Sequence, residues 1–280
     1  MLITLLTDFG DKDPYVGIMK GVIYGLNPAA RVIDLTHQVM PQAVREGAFL
    51  LQNAYPYFPA DTVHIVVVDP GVGTARKGIS IHVPGTGYFV GPDNGLFSYI
   101  LDKYPHAAAR EITNPRFQRA EVSATFHGRD IFAPAAAIIA GGTPWEECGP
   151  PLENWSLSVL PDLWPQWAGQ PGEGSSITGE IIHVDHFGSL VTNLPRHSFE
   201  GVQAGALEKA RLLIAGQFQV QGIRKTYGGS DKSELIALFG SSGFLEIARV
   251  DGRADDLRGA NDKLPASAWL GQKVSLKLVP

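Results

Sequence analysis

The first 150 residues alternate between two kinds of segment, and that alternation restricts the fold more than any other feature of the chain. Short apolar, β-branched runs recur at residues 2–6, 32–35, 63–68, 79–83 and 88–90. Helix-like stretches fall between some of them, at 15–26 and 44–54. In the second of these, Val44, Ala48, Leu51 and Tyr55 are spaced for a single helical face. Residues 128–140 are rich in Ala and Ile and predict a further buried helix, with Pro134 counting against it. Strands alternating with helices imply an α/β domain built on a largely parallel sheet, with ligands bound at the carboxyl ends of strands. Two acids stand at such ends: Asp8 closes the first run and Asp69 the third.

The pattern changes after residue 157. Residues 158–177 hold three prolines, three glycines and two tryptophans, a composition suited to an interdomain connection. Beyond it, strand-like runs at 177–184, 210–214, 218–220, 235–238, 244–250 and 274–278 are separated by turns, and only 196–203 suggests a short helix. The expected organisation is an α/β domain over 1–160, a linker over 161–176 and a smaller, mostly antiparallel β domain over 177–280.

Composition narrows the function. The 280 residues are 44% hydrophobic and 18% charged, so a substantial core is expected. The formal net charge of −5 and the absence of a basic run argue against nucleic acid as a partner. Cys148 is the single cysteine, which removes any intrachain disulfide and fits a reducing compartment. The first residues, MLITLLTDFGDKD, lack a basic leader and read as a strand, and no apolar run approaches the roughly 20 residues of a membrane span. A cytoplasmic protein that does not bind membrane is the expectation.

Several short stretches carry polar chemistry. In LLTDFGDKDPYVG, Asp8 at the strand end can accept from a ribose diol or hold a metal, whereas Asp11 and Asp13 suit a polar strand-to-helix loop. The spacing is not that of a calcium loop, and the protein-kinase elements that would accompany Asp-Phe-Gly are missing. VDPGVGTARKG is neither a P-loop, which ends in Gly-Lys-Ser/Thr, nor a dinucleotide fingerprint, which needs a third glycine. Asp69 and Arg76 in it are either an ion pair closing the turn or a site. FHGRD (126–130) puts His127 before a helix start, with Arg129-Asp130 reading as solvated charge. GPDNGLFS (91–98) is turn chemistry. The remaining histidines show no metal-ligand spacing. In the second half, HVDHFGSLVTN (183–193) offers Phe187 as an aromatic to stack on a base, and Gly240-Ser241-Ser242-Gly243 offers donors to a carboxylate; both stretches also suit plain hairpin turns.

Taken in order, TDFG (7–10), VVDPGVGTAR (67–76), GPDNGL (91–96), FHGRD (126–130), VDHFGSLVTN (184–193) and GSSGFLEIA (240–248) form a specific set. The chain closely resembles the S-adenosyl-L-methionine hydroxide adenosyltransferases, relatives of the fluorinase and chlorinase enzymes, over nearly its whole length. The resemblance implies hydrolysis of S-adenosyl-L-methionine to adenosine and L-methionine, with no cofactor and no metal. It implies an α/β N-terminal domain and a β-barrel C-terminal domain in a homotrimer, with the substrate between the first domain of one subunit and the second of its neighbour. Asp69, Arg76 and His127 fall on the water-activating positions and Asp8 on the ribose-holding one. Asp185 falls where the methionine amino group is held and Ser241 where its carboxylate is held, while Phe187 and Tyr227 resemble the aromatics that flank adenine. The halogenating relatives lack the Asp, Arg and His and carry a halide pocket instead, so hydroxide is the expected nucleophile. Ser189 stands where an Asn that reads the adenine edge is usual, and Ser242 where the fluorinase has an Arg. The alternatives are a halide-using relative, a metal-dependent nucleotidase built on Asp8, Asp11 and Asn94, and a non-catalytic adenosine or S-adenosylmethionine sensor.

Overall fold

A computed structural model describes residues 1–153, 156–172, 174–257 and 265–279. The chain divides into two compact units, Met1–Pro161 and Asp162–Pro280.

The first unit contains strands β1 (Leu2–Thr7), β2 (Arg31–Thr36), β3 (Thr62–Val67), β4 (Gly78–Val83), β5 (Gly87–Pro92), β6 (Ala108–Glu111) and β7 (Pro151–Leu152). Its helices are α1 (Tyr15–Leu26), α2 (Val44–Ala54), α3 (Ser98–Lys103) and α4 (Ala133–Ala140). The strands form one sheet in the order β2-β1-β3-β5-β4-β6-β7. Period-two alternation gives it two faces. Ile3, Leu5, Val63, Ile65 and Val67 share a core with Met19 and Ile23 of α1 and the alanines of α4. Leu6, Val66, Ile79, Ile81 and Phe89 share the opposite core with Leu51 of α2 and Ile100 of α3. β3 is buried along its whole length, which suits its four Val and Ile residues, and its Thr62 and His64 are buried with them.

The sheet is mixed rather than largely parallel. β2, β1, β3 and β5 run parallel, but β4 pairs antiparallel with β5, β6 with β4, and β7 with β6. The cause is local: only three residues separate β4 from β5, too few for a crossover, so the chain returns as a hairpin with Gly85 at φ 73°. The expected helix over 128–140 is also divided. Gly128–Phe132 is a π-helical turn, and α4 begins only at Ala133, with Pro134 in its first turn where a missing N–H costs nothing.

The second unit contains β8 (Trp167–Ala168), β9 (Ser176–Val184), β10 (Leu190–Pro195), β11 (Arg211–Ile214), β12 (Phe218–Gln221), β13 (Ile223–Arg224), β14 (Leu235–Phe239), β15 (Phe244–Arg249) and β16 (Lys273–Lys277) and, among the described residues, one α-helix, α5 (Ala204–Lys209). The order is β12-β11-β16-β9-β10-β15-β14-β13, with β8 paired to β9. All pairs are antiparallel except β13 with β14. The two ends of this path, β12 and β13, are consecutive in the chain and separated by Gly222 alone. The sheet therefore curls into a nearly closed barrel around Ile181, Leu194, Leu212, Leu245, Ile247 and Trp269. Gly222 has φ 74°, and any Cβ there would strike the carbonyl of Glu208. The expected helix at 196–203 is a single 3-10 turn, Arg196–Phe199, and the α-helix lies later, at α5. Within the stretch 161–176, Trp167–Ala168 is a strand of the barrel sheet.

Candidate active site

The turn after β3 is folded around its own polar groups. Val72 donates to the Asp69 carbonyl at 3.3 Å, the Thr74 hydroxyl to the Gly71 carbonyl at 2.6 Å, and the Arg76 N–H to the Thr74 hydroxyl at 3.3 Å. Gly73, at φ 76°, lies so close to Ala124 that a Cβ would collide with its carbonyl oxygen. The result brings Arg76 back over the strand end. Its Nε donates to Asp69 Oδ1 at 3.0 Å and a terminal nitrogen to Oδ2, a two-pronged charge-assisted pair. Both side chains are nearly buried, Arg76 at 9% exposure and Asp69 at 5%. The Arg76 guanidinium lies 5.4 Å from the Phe132 ring centroid.

His127 reaches the same guanidinium from the start of the π-helical turn. Its Nδ1 lies 2.6 Å from the Arg76 terminal nitrogen. A guanidinium nitrogen only donates, so Nδ1 is an acceptor and the neutral ring carries its proton on Nε2. Burial lowers the His127 pKa below its ordinary value and the Arg76 charge lowers it further, against Asp69 and Asp130.

Asp8 follows β1, the strand beside β3, and enters the same hollow. Its Oδ2 accepts from the Gln42 N–H at 2.8 Å. Burial raises its pKa above the carboxylate norm, Asp69 adds to the rise, and the backbone donors oppose it. The hollow has a volume of about 400 Å³, and Asp8, Asp69, Thr125 and His127 line it together with Phe9, Tyr15 and Phe126. Those three rings meet edge to face, at centroid separations of 5.2 to 5.9 Å. A larger hollow of about 720 Å³ along α1 has no comparable convergence of polar groups. The set Asp8, Asp11 and Asn94 is not brought together by hydrogen bonds: Asp11 accepts from Gln38 and Asn94 donates to the Val68 carbonyl.

In the second unit, both stretches that suited hairpin turns are hairpin turns, joining β9 to β10 and β14 to β15. They also gather polar groups. Asp185 Oδ1 accepts from the Ser189 N–H at 2.7 Å, and the Ser189 and Tyr227 side chains are hydrogen-bonded. Phe187 stands at the turn tip, 76% exposed. Ser241 is exposed on the neighbouring turn, while the Ser242 hydroxyl donates to Glu246 at 3.4 Å. Burial raises the Glu246 pKa, and the nearby Asp185 adds to it. Burial likewise raises the Tyr227 hydroxyl.

Two family descriptions match the chain: the SAM hydroxide adenosyltransferase N-terminal domain over residues 3–149 and the C-terminal domain over residues 179–265. The chain belongs to the SAM hydroxide adenosyltransferase family. Among curated relatives, the (R)-S-adenosyl-L-methionine hydrolase of Salinispora tropica is 40% identical over 272 residues, 95% of this chain and 97% of the relative. The protein of the same name from Thermus thermophilus is 37% identical over 93% of this chain and 96% of its own length. A fluorinase from Actinoplanes sp. is more distant, at 25% identity over 89% of this chain and 90% of the relative. The solved structure of an uncharacterized conserved protein from Thermotoga maritima superposes with a TM-score of 0.83 at 37% identity, covering 99% of this chain and all of that one.

In this SAM hydroxide adenosyltransferase relative, three of the residues expected from sequence, Asp8, Asp69 and His127, line one cavity, and the fourth, Arg76, stands behind it, bonded to Asp69 and His127. Asp185, Ser189 and Tyr227 share a second cluster, with Phe187 and Ser241 at exposed turns. Phe9, Tyr15, Phe126, Gln42 and Glu246 stand beside these residues without having been expected there from sequence. Phe9 and Phe126 lay inside quoted motifs and could have been weighed as cavity walls. Gln42 acts through its backbone N–H, which no side-chain pattern reveals.

Proposed function

We propose that this chain hydrolyses S-adenosyl-L-methionine to adenosine and L-methionine, and that Asp69, Arg76 and His127 activate the attacking water. The observation that supports this most is the buried Asp69–Arg76–His127 set, whose Asp69 and His127 line one cavity with Asp8, in a chain whose relatives are named hydrolases of (R)-S-adenosyl-L-methionine.

The chemistry has one difficult part. The sulfonium makes C5′ electrophilic and leaves as a neutral thioether, but water, with a pKa of about 15.7, is a poor nucleophile. A permanently protonated guanidinium beside the water favours its hydroxide form. Asp69 fixes that guanidinium and keeps lone pairs beyond the two given to Arg76, since a carboxylate has about four acceptor positions. With Nδ1 of His127 committed to Arg76, the ring acts on the water as an Nε2–H donor, and Asp69 takes the proton. As the O–C5′ bond forms, the C5′–S electron pair returns to sulfur. Two opposite charges are thereby cancelled, a change that a dry, low-dielectric cavity favours. Alignment of oxygen, C5′ and sulfur supplies the remainder.

In this reading Asp8 holds the ribose hydroxyls. Asp185 and Ser241 hold the methionine amino and carboxylate groups, and Phe187 and Tyr227 flank the adenine, with Ser189 at its edge. Domains 1–160 and 177–280, joined through 161–176, supply the two sets of contacts from different copies of the chain in a homotrimer. The protein acts in the cytoplasm on a small molecule, without a cofactor.

The test is direct. Purified protein incubated with S-adenosyl-L-methionine should yield adenosine and methionine in equal amounts, resolved by chromatography. Product no greater than in the enzyme-free control overturns the reading. Formation of 5′-chloro-5′-deoxyadenosine in added chloride would replace hydroxide by halide as the nucleophile.

A further inference from the structure

We infer that Asp130 is a positioning residue for the water-activating set: its buried carboxylate clamps the segment that carries His127 and backs the Asp69–Arg76 turn. This rests on the hydrolase reading above.

Arg129-Asp130 looks from sequence like solvated charge, yet Asp130 has no exposed surface. Its carboxylate is fully engaged. Arg129 donates through Nε to Oδ1 at 2.7 Å and through a terminal nitrogen to Oδ2 at 2.8 Å. The Ser123 N–H donates to Oδ2 at 2.9 Å, and Arg119 Nε lies 3.3 Å from Oδ1. The Asp130 carbonyl accepts from the Arg119 N–H at 2.9 Å. One buried acid thus ties Arg119, Ser123 and the π-helical turn together. These donors outweigh burial and hold the Asp130 pKa below the carboxylate norm. A buried charge is strongly destabilising unless it is fully paired, and this one is paired on both oxygens.

What the clamp holds is the back wall of the site. The segment from Ser123 to His127 contains Ala124, whose carbonyl fills the space a Cβ on Gly73 would need. It contains Thr125 and Phe126, which line the cavity, and ends on His127, 2.6 Å from Arg76. Asp130 itself touches neither Arg76 nor Asp69 by any hydrogen bond, and it is absent from the cavity lining. It acts through the segment, and its charge also raises the His127 pKa, so R119Q, which leaves that charge in place, isolates the positioning effect. A displacement of about 1 Å in a catalytic group can cost about a hundredfold in rate, so a clamp that fixes His127 to the guanidinium bears on turnover rather than on affinity.

The experiment compares the full-length wild type, labelled with ¹⁵N-histidine, with D130N and with R119Q; the latter frees one half-exposed arm of the clamp. In D130N we expect the His127 imidazole resonances to move and turnover of S-adenosylmethionine to fall about tenfold or more, with KM changed less than about threefold. R119Q should show the same pattern, about threefold in kcat. Unchanged imidazole resonances and unchanged kcat overturn the proposal, as does a rise in KM equal to the fall in kcat. If D130N does not fold, R119Q decides on the same criteria. If the wild type forms no adenosine, the hydrolase reading fails, and the imidazole resonances of R119Q, which keeps the Asp130 charge, decide whether Asp130 places His127.

Discussion

Arg76 and His127, 51 residues apart in sequence, meet at 2.6 Å with the guanidinium donating to Nδ1. The contact sets the tautomer of the histidine, and with it the direction in which that ring can serve a water. It also makes Arg76 a bridge, since the same guanidinium carries the two-pronged pair with Asp69.

A lysine cannot make that bridge, because it has a charge but no planar fork. R76K is expected to lower kcat by about a hundredfold or more, the scale seen when one preorganised donor is lost, while KM stays within about threefold. D69A should behave alike. Steady-state kinetics on both variants checks this, and equal losses in kcat and affinity would mark the pair as structural only.

The legible part of this site was the part written in strand ends. Asp8 and Asp69 follow apolar runs whose alternation with helices already places them on one edge of a sheet. The mixed pairing was not legible, because the β4–β5 hairpin depends on a three-residue link and not on the composition of either strand. The burial of Asp130 was hidden for a similar reason: its partners Arg119 and Ser123 come from an irregular segment with no periodicity to read. Phe126 and Tyr15 were apolar residues like any other until folding set their rings against Phe9.

The His127 ring should titrate below the ordinary histidine value of 6.5, since burial and Arg76 both disfavour its charged form. Activity that needs a neutral Nδ1 acceptor is then kept as pH falls through 6.5 and lost only below it. Removing the guanidinium in R76Q takes away one lowering influence and leaves Asp69 and Asp130, which raise the pKa. The ring of R76Q should therefore titrate at higher pH than wild type. Following the His127 imidazole carbons by NMR against pH measures both values, and a lower pKa in R76Q would contradict the contact.

Asp8, in the proposed function, binds rather than reacts. Replacing it by Asn keeps the shape but halves the acceptor capacity toward a diol. D8N should raise KM by about tenfold or more, the scale of a lost charge-assisted hydrogen bond, and lower kcat less. The discriminating substrate is the 2′-deoxy analogue. If Asp8 holds the ribose hydroxyls, wild type and D8N should differ much less on that analogue than on the full substrate; an undiminished difference would remove Asp8 from ribose recognition.

The protein should also lose stability in mild acid, through a histidine that does not line the cavity. His64 lies in β3, its ring stacked on Phe89 at 5.1 Å and its Nδ1 2.8 Å from the Thr4 hydroxyl. Burial lowers its pKa to about 4 from 6.5. The unfolded chain thus takes up this proton first as pH falls. The stability tied to the neutral ring is complete above about pH 6.5 and disappears progressively toward pH 4, where the folded form must charge as well. At 1.36 kcal/mol per unit, the shift corresponds to roughly 3 kcal/mol for this one group. His127, also lowered, adds to the loss with the same sign. Thermal unfolding followed from pH 7.5 to 4.5 should show a falling midpoint in wild type. H64Q, which has no titrating ring, should start less stable at pH 7.5 because it loses packing on Phe89, yet decline less steeply with acid. Parallel slopes for the two proteins would show that His64 is not the group being protonated.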